Sequence, residues 1–295
     1  MAFWQARSWI RPVLLIVSSL VAVATLARMP GAVSGGSSVE VSGFPEAWSA
    51  MGAPMGGPVG TVVAGPAAFV QGKRHEFYFT RAIYSSGRRG WGWGGRGSWA
   101  TDYPKADRQF LVVIKRILGL DAPDFENAVS LADPELRRFP FLYALEVGRM
   151  ALTREEAHGL RDYLNAGGFL VVDDFWGTRE WEVFEENMRI VLPGRPFVEL
   201  PVDHELFHTF FEIEEIKQVP NVRQGRSGGP TWERDGYEPR VLGIFDDDGR
   251  LMVVVNWNTD LGDAWEWAED PFYPMEYSNF AYEMGANLII YAMTH

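Results

Sequence analysis

The stretch that most constrains this chain is Thr153 to Trp176, TREEAHGLRDYLNAGGFLVVDDFW. Thr153 followed by Glu156 forms a capping box, the reciprocal pairing that starts a helix. Ala157, Leu160 and Leu164 recur at helical spacing and give the helix one apolar face. Gly167-Gly168 stops it, because glycine accepts a left-handed backbone without a Cβ clash. Phe169-Leu-Val-Val172 is an unbroken apolar run, which suits a strand buried on both faces of a parallel sheet. Asp173 and Asp174 stand at its exit, and open α/β sheets bind ligands outside the carboxyl ends of their strands.

The rest of the chain repeats this alternation. Strands are expected at 77–84, 128–131, 141–145, 197–200, 242–245 and 251–255. Helices are expected from an Asp102 cap through Leu118, from a Thr178 cap through Val191, and over 277–293. Asp246-Asp-Asp-Gly249, between two apolar runs, predicts a hairpin. Asp246, Asp248 and Gly249 also match part of a calcium loop, but the hairpin accounts for them. The fold class is therefore α/β, a mainly parallel flavodoxin-like sheet with helices on both faces and a late antiparallel hairpin.

Upstream, Arg7 and Arg11 flank a sixteen-residue apolar run, Pro12 to Ala27. That length and flank predict a signal peptide or an N-terminal membrane anchor over 1–27. Ala22-Val-Ala24 offers a cleavage site. The positive flank stays inside, so the bulk is expected outside the cytoplasm, periplasmic or at the cell surface. Residues 28–72 are rich in Gly, Pro, Ala and Ser and read as a linker. The α/β domain occupies 73–295. The net charge of −12 argues against a nucleic-acid partner, which would need clustered Lys and Arg. The chain has no cysteine, which removes disulfides, thiolate zinc ligands and a Cys nucleophile.

The order of several short motifs carries a resemblance. These are FTRAIY, Trp99-x-x-Asp102-Tyr-Pro104, FPFLY at 139–143, GGFLVVDD, Asp203-His-Glu-Leu-Phe-His208, Asn258-Thr-Asp-Leu-Gly262 with Ala264-Trp-Glu266, and Asn287-Leu-x-x-Tyr-Ala-Met-Thr294. Together, over about 75–295, they resemble the bacterial domain of unknown function family 4159. That family in turn is similar to the class I glutamine amidotransferase-like fold, nearest its trehalose-utilisation (ThuA-like) group. The resemblance implies a sharp bend after GGFLVV, where amidotransferases carry their active-site residue. Here Asp173 and Asp174 occupy it, so the fold is implied and the amidotransferase chemistry is not.

Several residues are candidates for function, each beside a plainer reading. Asp173 or Asp174 could serve as acid or base, since neighbouring carboxylates push one another's pKa apart. Otherwise one caps a turn and the other is solvated. His204-Glu205-x-x-His208 spells the H-E-x-x-H zinc pattern, with Glu205 as base. Otherwise it is a surface turn with Leu206 and Phe207 packed inward. Arg81, Arg88, Arg89 and Arg96 flank a Gly/Trp loop, Ser85 to Ala100, that could hold an anion; Trp99 closes it. Asp260 to Tyr273 mixes acids with aromatics, either as a sugar-stacking or cation-binding lip using Trp265 and Glu266, or as a plug for the core edge. Two functions follow. The first is a non-catalytic domain that binds a small molecule or a protein, with no cofactor, tethered to the membrane if the first segment is uncleaved. The second is a hydrolase of carbohydrate or peptide using Asp173 or Asp174 with His204, with zinc as an alternative cofactor.

Overall fold

A computed structural model describes residues 74–87 and 97–295. The expected leader, linker and most of the Gly/Trp loop, Arg88, Arg89 and Arg96 included, lie outside the described residues. Among the described residues no helix is long and apolar enough to cross a membrane.

Seven strands form one sheet: β1 (Thr80–Ile83), β2 (Asn127–Ser130), β3 (Phe141–Leu145), β4 (Phe169–Asp173), β5 (Val198–Glu199), β6 (Arg240–Phe245) and β7 (Leu251–Trp257). Their spatial order is β2-β1-β3-β4-β7-β6-β5. The first five in that order run parallel; β6 pairs antiparallel with β7, and β5 antiparallel with β6. Among the described residues six α-helices pack around them: α1 (Lys105–Leu118), α2 (Arg154–Asn165), α3 (Gly177–Val191), α4 (Val222–Ser227), α5 (Leu261–Glu266) and α6 (Met275–Thr294).

The apolar runs of the parallel strands read as continuous because both faces are covered. In β3, Phe141, Tyr143 and Leu145 face α1, α5 and α6, where they meet Phe110, Trp265 and Leu288. Leu142 and Ala144 face the other way, against Leu160 of α2 and Phe184 of α3. Burying a side chain of this size stabilises the fold by roughly 1.5–3 kcal/mol. The capping box of α2 forms as expected, with Glu156 N–H donating to Thr153 Oγ1 at 3.2 Å and Thr153 N–H to Glu156 Oε2 at 2.8 Å. Gly167 takes the left-handed turn, φ 102°. Gly168 lets the Tyr163 ring lie where a Cβ would come within 2.4 Å of it.

Four local expectations need correction. The first strand begins at Thr80 rather than at residue 77, because Glu76 and Phe77 donate their N–H groups to Asp121 O instead of to a strand. Asp102 does not cap α1 with its side chain. Its carbonyl accepts from Ala106 N–H at 2.9 Å, but its backbone is left-handed, φ 59°, which turns the carboxylate away from the helix start. Thr178 lies inside α3, and its N–H and hydroxyl donate to Asp235, which satisfies that helix end from outside. Two short helices, α4 and α5, were not expected.

β1 is the point where the chain reverses direction across the sheet: β2 lies on one side of it and β3 on the other. The crevice outside the carboxyl ends of such strands is where an open α/β sheet offers a binding site.

Candidate functional site

The carboxyl ends of β3, β4 and β7 deliver Glu146, Asp173 with Asp174, and Asp260. Asp102 enters from the loop before α1, and Asp263 and Glu266 from α5. Five of these carboxylates line one cavity of about 160 Å³: Asp102, Glu146, Asp174, Asp260 and Asp263, with Glu233 as a sixth. Thr101, Arg149, Trp176, Asn221 and Arg234 complete it. A larger open depression of about 530 Å³ lies between α2 and the turn at 134–138. Within it, Arg137 and His158 stand 2.9 and 3.3 Å from Asp162.

The backbone is strained around the small cavity. Among the described residues five non-glycine positions have positive φ: Asp102, Glu146, Asp174, Arg234 and Asn258. The first four line the cavity. Asn258 supports it, accepting from Gly177 N–H at 2.9 Å and donating to Glu238 O at 2.7 Å. Such conformations cost of order 1–3 kcal/mol each and cluster where a site needs side chains aimed against local preference. At Asp174 the turn is held by its own N–H on Thr259 O at 3.1 Å and by its O accepting from Glu146 N–H at 3.0 Å. These bonds tie the ends of β3, β4 and β7 together.

The charges are poorly balanced. Arg149 faces Glu146 at 3.4 Å, and Arg234 faces Glu180 and Glu233 at 2.9 and 3.3 Å. Asp102, Asp174 and Asp260 have no cationic side chain in salt-bridge reach among the described residues. Asp174 Oδ1 accepts from Trp176 Nε1 at 3.1 Å, and Asp260 Oδ1 from Asp263 N–H at 2.8 Å. Asp102 Oδ2 is buried with no donor at all. Burial drives all three pKa values well above the usual carboxylate range, and neighbouring carboxylates add to it: Asp263 for Asp102, Glu146 for Asp174, and Asp174 for Asp260. Glu146 is pushed up to about 7 by burial, against the pull of Arg149.

Asp173 sits beneath this group and does not line the cavity. It is completely buried, and burial lifts its pKa to about 7 despite the Tyr143 hydroxyl. Its Oδ2 accepts from Tyr143 at 2.7 Å and from Gly262 N–H at 3.1 Å, while its Oδ1 has no donor. Gly262 is confined: a Cβ there would lie 3.2 Å from Asp102 Oδ2, 3.3 Å from the Tyr143 hydroxyl and 3.6 Å from Asp260 Oδ1. A side chain at this position would fill the space into which those oxygens converge.

The structure separates the other candidates from this site. Arg81 is fully buried, forms an ion pair with Asp107 of α1, and lies 5.0 Å from the Tyr143 ring centre. Burial alone would lower its pKa, but Asp107 more than offsets this and raises it. It is committed to the core and offers no free charge to a ligand. Trp265 is a core residue, 4.2 Å centre to centre from Phe110, and presents no stacking surface. Trp99 is half-buried against Tyr103. Glu266 reaches the rim, 3.6 Å from Lys105.

His204-Glu205-x-x-His208 lies at the opposite end of the sheet. Tyr291 packs against both the His204 ring, at 6.3 Å, and Phe169, which opens β4. Asp173 closes the same five-residue strand, roughly 13 Å further along at about 3.3 Å per residue. The segment is a 3-10 turn rather than an α-helix, so its histidines do not share a helix face. His204 Nδ1 caps the turn by accepting from Leu206 N–H at 3.2 Å. His208 uses both ring nitrogens, on Glu212 at 2.6 Å and on Val202 O at 2.9 Å. Among the described residues, the groups able to gather three ligand atoms within 4.8 Å consist only of carboxylates.

In sequence Asp102 reads as a helix cap, Glu146 belongs to no motif, and Asp260 and Asp263 stand only within an acidic lip. The strand-end rule, applied to β3, marks Glu146 directly, while Asp260 stands three residues past the end of β7.

The architecture and the site together define a flavodoxin-like α/β domain with a small acidic pocket at the carboxyl ends of its parallel strands. The pattern of the family described as Domain of unknown function (DUF4159) matches residues 81–293, and the chain belongs to that family. No curated protein matches the chain.

Proposed function

We propose that this is a non-catalytic binding domain, exported or membrane-tethered, whose pocket selects a small positively charged ligand. The observation that carries this reading is the convergence of Asp102, Asp174 and Asp260, which have no cationic side chain in salt-bridge reach among the described residues. Six carboxylates and two guanidiniums line the cavity, and both guanidiniums are already engaged by glutamates. A buried carboxylate without a partner is costly, and a bound cation removes that cost. The export part rests on the Arg7/Arg11 flank and the apolar run that follows it.

The hydrolase reading has weaker support. A carboxyl group near pH 7 suits acid–base chemistry, and Asp173 has such a value. However, Asp173 is sealed from solvent and His204 stands at the other end of the sheet.

Thermal unfolding of the full chain with a panel of small cations, neutral sugars and anions tests the proposal. Cations should raise Tm and the others should not, and Asp174→Asn should abolish the gain. Stabilisation by a neutral sugar alone, unchanged in that variant, would overturn it.

A further inference from the structure

Resting on that reading, we infer that the ligand is a hard divalent cation, held by Asp102, Asp174 and Asp260. Their ligand atoms all lie within 4.8 Å of one another. Oxygens around one Ca²⁺, at about 2.3–2.6 Å each, stand no more than about 5 Å apart across the ion. The donor set is all oxygen, which suits Ca²⁺, Mg²⁺ or Mn²⁺ and not a soft metal.

Two further observations point to an occupant here. Asp102 Oδ2, on the cavity wall, is buried and receives no hydrogen bond. It stands beside Gly262, whose missing side chain leaves Asp102 and Asp260 room to converge. Size then separates a metal from an organic cation. The cavity of about 160 Å³ falls below the roughly 300–1,000 Å³ of small-molecule pockets, yet has room for an ion with several waters at about 30 Å³ each.

A second carboxylate group, Asp102, Asp263 and Glu266, shares Asp102 with the first. It is the lesser site, because Lys105 lies 3.6 Å from Glu266 and Asp263 accepts from Val222 N–H at 2.6 Å. Asp102 is thus shared by two positions, and the ion occupies the one whose aspartates have no cationic side chain in salt-bridge reach among the described residues. A site of few carboxylates on an exported module fits extracellular Ca²⁺, with an expected Kd on the order of 0.1–1 mM.

Sensitised Tb³⁺ luminescence of the full chain tests the inference, since Trp176 donates to Asp174 and stands beside the ion position. Excitation of tryptophan should produce Tb³⁺ emission that Ca²⁺ competes away. Asp102→Asn and Asp260→Asn, both close in shape to wild type, should each weaken Tb³⁺ binding at least tenfold. His208→Ala, at the far end of the sheet, should leave it unchanged. Folding of each variant is checked by circular dichroism, and Asp260→Glu provides a variant that keeps the charge and retains part of the emission. Putrescine is titrated in parallel. No emission, or emission unaffected by both Asn variants, overturns the metal site. If putrescine still raises Tm through Asp174 in that case, the cation-binding function stands and only the identity of the ligand fails. If neither probe acts through Asp174, both fall.

Discussion

The two ends of this sheet handle buried polarity in opposite ways. At the amino ends of the parallel strands, Arg250 donates to Asp246, to Gly168 O and to Leu164 O, while both nitrogens of His208 and the Nδ1 of His204 have partners. At the carboxyl ends, three aspartates face one another without a cation, two buried carboxylate oxygens lack any donor, and four residues hold left-handed backbones. The end that carries the recognisable zinc spelling is chemically complete. The end without a named motif is the incomplete one. Unsatisfied burial locates a site better here than a short pattern does, because a pattern of five residues recurs by chance and a buried unpaired charge must be compensated.

Substitutions can break or sharpen this contrast, beginning with the charge that is compensated. Arg81→Ala leaves Asp107 buried and alone in the core, and should cost about 3–5 kcal/mol in urea unfolding. A loss below about 1 kcal/mol would show that the pair is not holding α1 to β1. The uncompensated side should behave in the reverse sense. Without divalent cation, Asp102→Asn or Asp260→Asn should raise the urea midpoint, since each removes an ionisable group whose charged form burial and the neighbouring carboxylates disfavour. Destabilisation of both in cation-free buffer would mean that these aspartates are structural.

pH gives the next effect. Asp173 and Glu146 have folded-state pKa values of about 7, raised from ordinary carboxylate values near 4. Between those limits the folded chain binds more protons than the unfolded chain, so stability falls as pH rises from about 4 to about 7. Urea midpoints measured in chelator at pH 5 and pH 7 should therefore be higher at pH 5. A midpoint that rises over this interval would contradict the burial of these groups. The smallest effect belongs to the other end. His204→Ala should cost only about 1 kcal/mol, the loss of a cap, with no change in cation response.

Much of the fold was legible because it rests on local rules. Apolar runs such as Phe141–Leu145 and Phe169–Val172 mark strands buried on both faces, and Thr153/Glu156 marks a helix start whatever surrounds it. The site was less legible because it depends on backbone geometry. Asp102 precedes Pro104 and Lys105 as a cap would, and its carbonyl does serve the helix, yet φ of 59° sends the carboxylate elsewhere. Asp173 and Asp174 look equivalent in sequence. The left-handed turn at Asp174 divides them, one sealed under the pocket and the other on its wall. Trp265 reads in sequence either as a stacking aromatic in an acidic lip or as a plug for the core edge, and α5 directs it into the Phe110 cluster, the second of these.

The most direct test of the cation pocket is calorimetric titration of Ca²⁺ into the full chain at pH 7, beside Asp174→Asn. One equivalent should bind with a Kd on the order of 0.1–1 mM, with proton release as the raised carboxylates ionise, and the variant should give no heat of binding. Absence of binding by the wild-type chain, or equal binding by Asp174→Asn, would contradict the cation pocket.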